Sequence, residues 1–99
     1  MARTADASEL PARLRVRPGA RIALRDSAAA RTLGWEKDAA EKALDRNKKQ
    51  LEKLQYAMYA ENRAALLVVL QAMDTAGKDG TIRNVMTAFN PQGCTVHSF

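Results

Sequence analysis

A single cysteine, Cys94, leaves nothing for it to pair with inside the chain, and a single histidine, His97, leaves no Cys/His cluster at metal-ligand spacing. An internal disulfide and a structural zinc site are therefore excluded, and the lone thiol fits a reducing, cytoplasmic setting. No apolar run approaches the roughly 18 residues that span a bilayer. The N-terminus, MARTADASEL, has no apolar stretch behind its arginine, so it is not a secretory signal. The expectation is a protein without a membrane span. Aromatic residues make up only 5% of the chain and none precedes Trp35, which removes the platforms on which unpaired bases stack. Nucleic acid is disfavoured as a partner on that ground.

What remains is ordinary in bulk and uneven in placement. Ninety-nine residues, 46% hydrophobic and 27% charged, make one small domain at most. The net charge of +5 is concentrated at the start. Residues 1–34 carry seven arginines (Arg3, Arg13, Arg15, Arg17, Arg21, Arg25, Arg31) against Asp6, Glu9 and Asp26, with no lysine, and are net basic by four. Guanidinium forks match phosphate oxygens, so this basic arm suits a polyanion; a solvated arm is the reading favoured over direct substrate contact. Pro11 and Pro18-Gly19 interrupt the arm, and the weak alternation of Leu14, Val16, Ile22 and Leu24 reads as a short strand or extended segment. Gly34 marks the boundary.

From Trp35 to about Glu61 there is neither proline nor glycine, and Ala, Leu, Lys, Glu and Gln dominate; residues 35–62 read as one long amphipathic helix. Asp38 with Glu41 offers an N-terminal cap. Ala40, Leu44, Leu51, Leu54 and Met58 fall on one stripe, broken by Asn47 and Lys48. Packing on the chain's own sheet accounts for that stripe better than a coiled-coil seam, for which there are too few heptads.

Residues 63–99 hold the chemistry. Leu66-Leu67-Val68-Val69-Leu70 is a continuous apolar run of strand length, suited to a parallel strand covered on both faces. Asp74-Thr75-Ala76-Gly77-Lys78-Asp79-Gly80-Thr81 follows as a turn of small residues, and Ile82, Val85, Met86 and Phe89 then recur at helical spacing. Asn90-Pro91 ends that helix. Gln92-Gly93 turns the chain, and Cys94–Phe99 reads as a second strand, in a right-handed parallel crossover. Strand, glycine turn with lysine, and helix form the layout of a phosphate-binding loop: amides of the turn and first helical turn lack internal partners, glycines let backbone wrap an anion, and lysine adds a compact charge. The general G-x-x-x-x-G-K-[ST] pattern is half met, because Ala72 replaces the first glycine and Asp79 the hydroxyl residue. On the pattern alone, an anion site and a plain connection both stand open. His97 has no partner at ligand spacing, and Cys94 reads as a small buried hydrophobe. Arg83, one turn beyond the loop, either approaches phosphate or lies on the helix surface, and Met58, Met73 and Met86 read as core.

The wording from Leu70 to Ile82, LQAMDTAGKDGTI, resembles the phosphate-loop segment of the type 2 polyphosphate kinase family, in which an aspartate precedes the Gly-Lys pair by three residues. Asn90-Pro91-Gln92-Gly93, Ser98-Phe99, Leu54-Gln55 and Tyr59-Ala60-Glu61 extend the resemblance over roughly residues 50–99. It implies an α/β fold, a P-loop nucleotide-kinase-like three-layer sandwich with a parallel sheet, of which this chain holds the N-terminal portion: long helix, strand, loop, helix, strand. It also implies phosphoryl transfer between inorganic polyphosphate and a nucleotide, in an enzyme that assembles as a homo-oligomer. Lys78 and the backbone of Thr75 through Thr81 (Thr75, Ala76, Gly77, Lys78, Asp79, Gly80, Thr81) would hold phosphate. Asp74 would be catalytic with Lys78, holding Mg2+ or orienting the accepting oxygen. Asp79 either assists or caps the helix, and for Thr81 the structural role is favoured. The family's second acidic motif and arginine-bearing lid have no counterpart in these residues, so the expectation is an incomplete enzyme, inactive alone. An ATP-dependent P-loop kinase and a non-catalytic module that binds anions or assembles are the competing readings.

Overall fold

The computed structural model describes residues 6–98. The chain divides into two compact units, Met1–Glu41 and Lys42–Phe99. Four α-helices are present among the described residues: α1 (Leu10–Leu14), α2 (Asp26–Ala29), α3 (Lys37–Glu61) and α4 (Lys78–Met86). Two 3-10 turns, Ala7–Glu9 and Pro91–Gly93, complete the regular structure.

In the first unit the elements are short and locally capped. The Asp6 carboxylate accepts from the Ser8 N–H at 2.9 Å, starting the 3-10 turn that leads into α1. That N–H bond holds the exposed Asp6 carboxyl below its ordinary range. Pro11 sits in the first turn of α1, where its missing donor costs nothing. Arg13 reaches 20 residues along the chain to donate to the Leu33 carbonyl at 3.1 Å. Leu33 and Gly34 both take positive φ (55° and 84°), and the Trp35 N–H closes the bend on Thr32 at 3.0 Å. The short strand expected around residues 14–24 is not there. Leu14 closes α1, and Val16, Ile22 and Leu24 are exposed without strand pairing among the described residues.

The second unit is built on α3. Its half-buried or buried positions run Ala40, Ala43, Leu44, Lys48, Leu51, Gln55 and Met58, which lie on one face of a helix. Leu54, expected on that stripe, is 66% exposed, and Gln55 takes its place. The apolar residues Ile82, Val85, Met86 and Phe89 of α4 and its exit are half-buried.

The expected α/β sandwich with a parallel sheet is overturned: no strand is present among the described residues. Leu66 through Leu70 are 43–85% exposed and make no backbone hydrogen bond among the described residues. Cys94 N–H donates only back to Pro91, residues 95–98 are unpaired among the described residues, and the end of that expected strand, Phe99, lies outside the described residues. The physical reason is the difference between local and distant partners. A helix closes its bonds four residues away, whereas a strand exists only beside another strand. The apolar run has the composition of a buried strand and no neighbour to pair with. No apolar residue is buried among the described residues, and Met73, expected in a core, is 85% exposed.

Candidate functional site

The loop between the apolar run and α4 is shaped by two left-handed residues. Thr75 has φ 63° and Gly77 has φ 87°, and between them the Ala76 N–H donates back to the Met73 carbonyl at 3.1 Å. At Thr75 this conformation strains a β-branched side chain; at Gly77 it costs little. Gly77 is the N-cap of α4, with no side chain to cap it. The first bond back into the loop comes from the Thr81 N–H, which donates to the Gly77 carbonyl at 2.9 Å. The N–H groups of Lys78, Asp79 and Gly80 precede that bond and have no partner within the helix. They converge at the positive end of the helix dipole, the arrangement that accepts an anion.

Leu70, Gln71, Ala72, Ala76, Gly77, Lys78 and Thr81 line a cavity of about 210 Å³ at this point. The fold thus brings four of the expected phosphate-binding residues, Ala76, Gly77, Lys78 and Thr81, to one concavity. Asp74, Thr75, Asp79 and Gly80 do not line it, and the loop as a whole is exposed.

The individual roles are narrower than the sequence pattern. The Ala76 amide is spent on Met73, so it is not free to hold a ligand. Gly80 lies within α4 and uses no positive φ; a Cβ added there meets nothing within 4 Å. The Thr81 hydroxyl donates to the Gly77 carbonyl at 3.0 Å and Asn84 Nδ2 donates to the Gly80 carbonyl at 2.8 Å, both fixing the first turns of α4. Asp79, in the first turn, makes no side-chain hydrogen bond among the described residues. Asp74 lies in the bend that closes the apolar segment, exposed to solvent.

Sequence reasoning missed Gln55. Among the described residues it is the one that is buried, 8% exposed. Its amide grips both backbone groups of Asn90: Nε2 donates to the carbonyl at 3.1 Å, and Oε1 accepts from the N–H at 3.2 Å. Nε2 also lies 3.8 Å from Cys94 Sγ. Two separated sequence words, Leu54-Gln55 and Asn90-Pro91-Gln92-Gly93, therefore meet. Gly93 packs so closely that a Cβ would overlap the Gln55 amide and lie 3.3 Å from Tyr59 Cδ2. The signal was present as an exception, a polar residue at a helix-stripe position.

The family description Polyphosphate kinase 2 (PPK2) matches residues 34–99. The chain is 58% identical over 50 residues to an ADP-polyphosphate phosphotransferase of Rhodopseudomonas palustris, covering 50% of this chain and 17% of that protein. It is 48% identical over 87 residues to an AMP/ADP-polyphosphate phosphotransferase of Meiothermus ruber, covering 86% of this chain and 33% of that protein. The chain therefore spans a third or less of the length of these curated relatives. No solved structure matches it significantly. With two-thirds of its residues, the loop and both halves of the Gln55 contact inside the matched region, the chain belongs to the polyphosphate kinase 2 family.

Proposed function

We propose that residues 66–86 are the phosphate-binding element of an enzyme that moves a phosphoryl group between inorganic polyphosphate and AMP or ADP. The observation that carries this reading is the left-handed cap at Gly77, which leaves the Lys78, Asp79 and Gly80 amides unpaired beside a cavity lined by Lys78. In such a transfer an oxygen of the accepting nucleotide phosphate bonds to the terminal phosphorus of polyphosphate. The bridging P–O bond breaks, and its electron pair leaves with the shortened polyphosphate. The protein supplies alignment and positive charge rather than covalent chemistry. Lys78 and the three amides hold the oxygens of the phosphoryl group as negative charge spreads over them.

The donor set fits magnesium bound partly through substrate. Among the described residues no group of three or more acidic or thiol/imidazole side chains forms a cage. Magnesium at phosphate sites needs only one or two carboxylates, the remaining ligands being phosphate and water oxygens. Asp74 would hold the ion, which when bound neutralises phosphate charge. Assembly of the complete enzyme as a homo-oligomer belongs to the same proposal.

The test is polyphosphate binding by the purified chain, followed by titration as salt is raised. Lys78→Ala should weaken binding at least tenfold, on the scale of one lost charge-assisted contact. Unchanged binding removes Lys78 from the site. Placing residues 34–99 into the Meiothermus ruber relative then tests transfer, with polyphosphate or ATP as sole phosphoryl donor. Turnover with ATP alone would favour a conventional kinase.

A further inference from the structure

We infer that Gln55 is the positioning residue that fixes α4, and with it the phosphate-binding amides, against α3. This rests on the phosphate-loop reading above and adds a residue outside the loop to it. The geometry is a two-point clamp. One side-chain amide donates to and accepts from the same backbone unit, Asn90, at 3.1 and 3.2 Å, as a neighbouring strand would. Such a pair sets distance and orientation together, which a single bond or an apolar contact does not.

The Asn90 unit is itself a rigid target. Its side chain accepts from the Gln92 N–H at 3.0 Å, its carbonyl also accepts from the Gly93 N–H at 3.0 Å, and Cys94 N–H donates to Pro91 at 3.2 Å. Pro91 fixes the backbone dihedral at the start of the turn. Gly93 lets the turn lie directly on the amide. On the other side, Ala88 N–H donates to Val85 and Phe89 N–H to Met86, so the chain from α4 to Asn90 is continuously bonded. α4 is nine residues, roughly 13 Å long, with the clamp beyond its C-terminus and the unpaired amides at its N-terminus. A helix held at one end transmits that hold to the other. Gln55 is placed on α3, so it tethers the loop to the longest element in the chain.

Gln55→Ala removes the clamp, and Gln55→Glu changes only its donor. An ionised glutamate sets negative charge against the Asn90 carbonyl, whereas the protonated acid again donates to that carbonyl and accepts from the N–H. Burial and the facing carbonyl both favour the acid form, so the glutamate variant should regain the clamp as pH falls. Cys94 and Tyr59 lie beside the clamp, Asp45, Lys48, Lys49 and Glu52 of α3 share a cavity with Asn90, and a wild-type control at each pH removes their contribution.

The experiment measures affinity for inorganic polyphosphate in wild type, Lys78→Ala, Gln55→Ala and Gln55→Glu, at pH 5 and pH 8. Helix content is followed by circular dichroism. The expected result is roughly tenfold weaker binding in Gln55→Ala, the loss of about two net hydrogen bonds. Gln55→Glu should match it at pH 8 and approach wild type at pH 5, with α-helical content retained. If Lys78→Ala weakens binding and Gln55→Ala does not, the loop reading stands and the positioning role is overturned. A glutamate variant equally weak at both pH values overturns it too, since a bulk packing role has no such pH dependence. If Lys78→Ala has no effect, the phosphate reading itself fails, and the inference falls with it.

Discussion

Asp74 and Lys78 lie four residues apart across a loop whose turn is made by Gly77, and each has a distinct test. Asp74 is exposed and outside the cavity lining, so its contribution to an anion site has to run through a cation. Asp74→Asn keeps the shape and removes the charge magnesium needs. The magnesium-dependent part of polyphosphate binding should disappear while the melting temperature stays within a degree or two. A variant that loses stability instead would make Asp74 structural. Gly77 is the opposite case: a Cβ there meets nothing within 4 Å, but φ is 87°. Gly77→Ala should cost about 1–2 kcal/mol from backbone strain alone, read as a lower melting temperature. The loop's residue types were legible because glycine and lysine advertise their chemistry. The assignment of amides was not: the spending of the Ala76 N–H on Met73 and of the Thr81 hydroxyl on Gly77 depends on dihedral angles that no residue name carries.

At the scale of elements, what closes within a few residues could be read and what closes at a distance could not. The stretch from Trp35 to about Glu61 reads as helix because it is free of breakers, and α3 spans Lys37–Glu61. Its buried face differs from the expected stripe at Lys48, which lies on it rather than breaking it, and at Gln55 in place of Leu54, because hydrophobicity ranks the latter two the wrong way when a backbone turn supplies the amide's partners. The strands at 66–70 and 94–99 were expected from branched residues, which report a preference and not a neighbour. In α4 the same distinction gives a prediction. Gly80 is an interior helical residue with open space around it. Gly80→Ala should raise stability by about 0.5–1 kcal/mol, the usual gain for alanine over glycine in a helix. If the backbone there lies against a phosphate, the same methyl should weaken polyphosphate binding. Greater stability with unchanged affinity would take Gly80 out of the anion site.

The whole molecule leaves an apolar segment in water. Leu66, Leu67, Val68, Val69 and Leu70 are 74, 85, 62, 73 and 43% exposed, and Met73 adds 85% nearby. Side chains of this size each gain about 1.5–3 kcal/mol on full burial, and contiguous exposed apolar surface is a site of association. The backbone of the run is equally unsatisfied among the described residues, so any partner that covers the side chains can also take up its N–H and carbonyl groups. The purified chain should therefore self-associate over the micromolar range, with sedimentation coefficient rising with concentration. The net charge of +5 opposes this only partly, since much of it sits in the first 34 residues, away in sequence from the apolar run. Leu67→Lys with Val69→Lys places two charges on the run without touching a helix. The double variant should sediment as a monomer and keep its α-helical circular dichroism. Equal association in the double variant would move the contact elsewhere, to Tyr56 and Tyr59 of α3, 69% and 57% exposed.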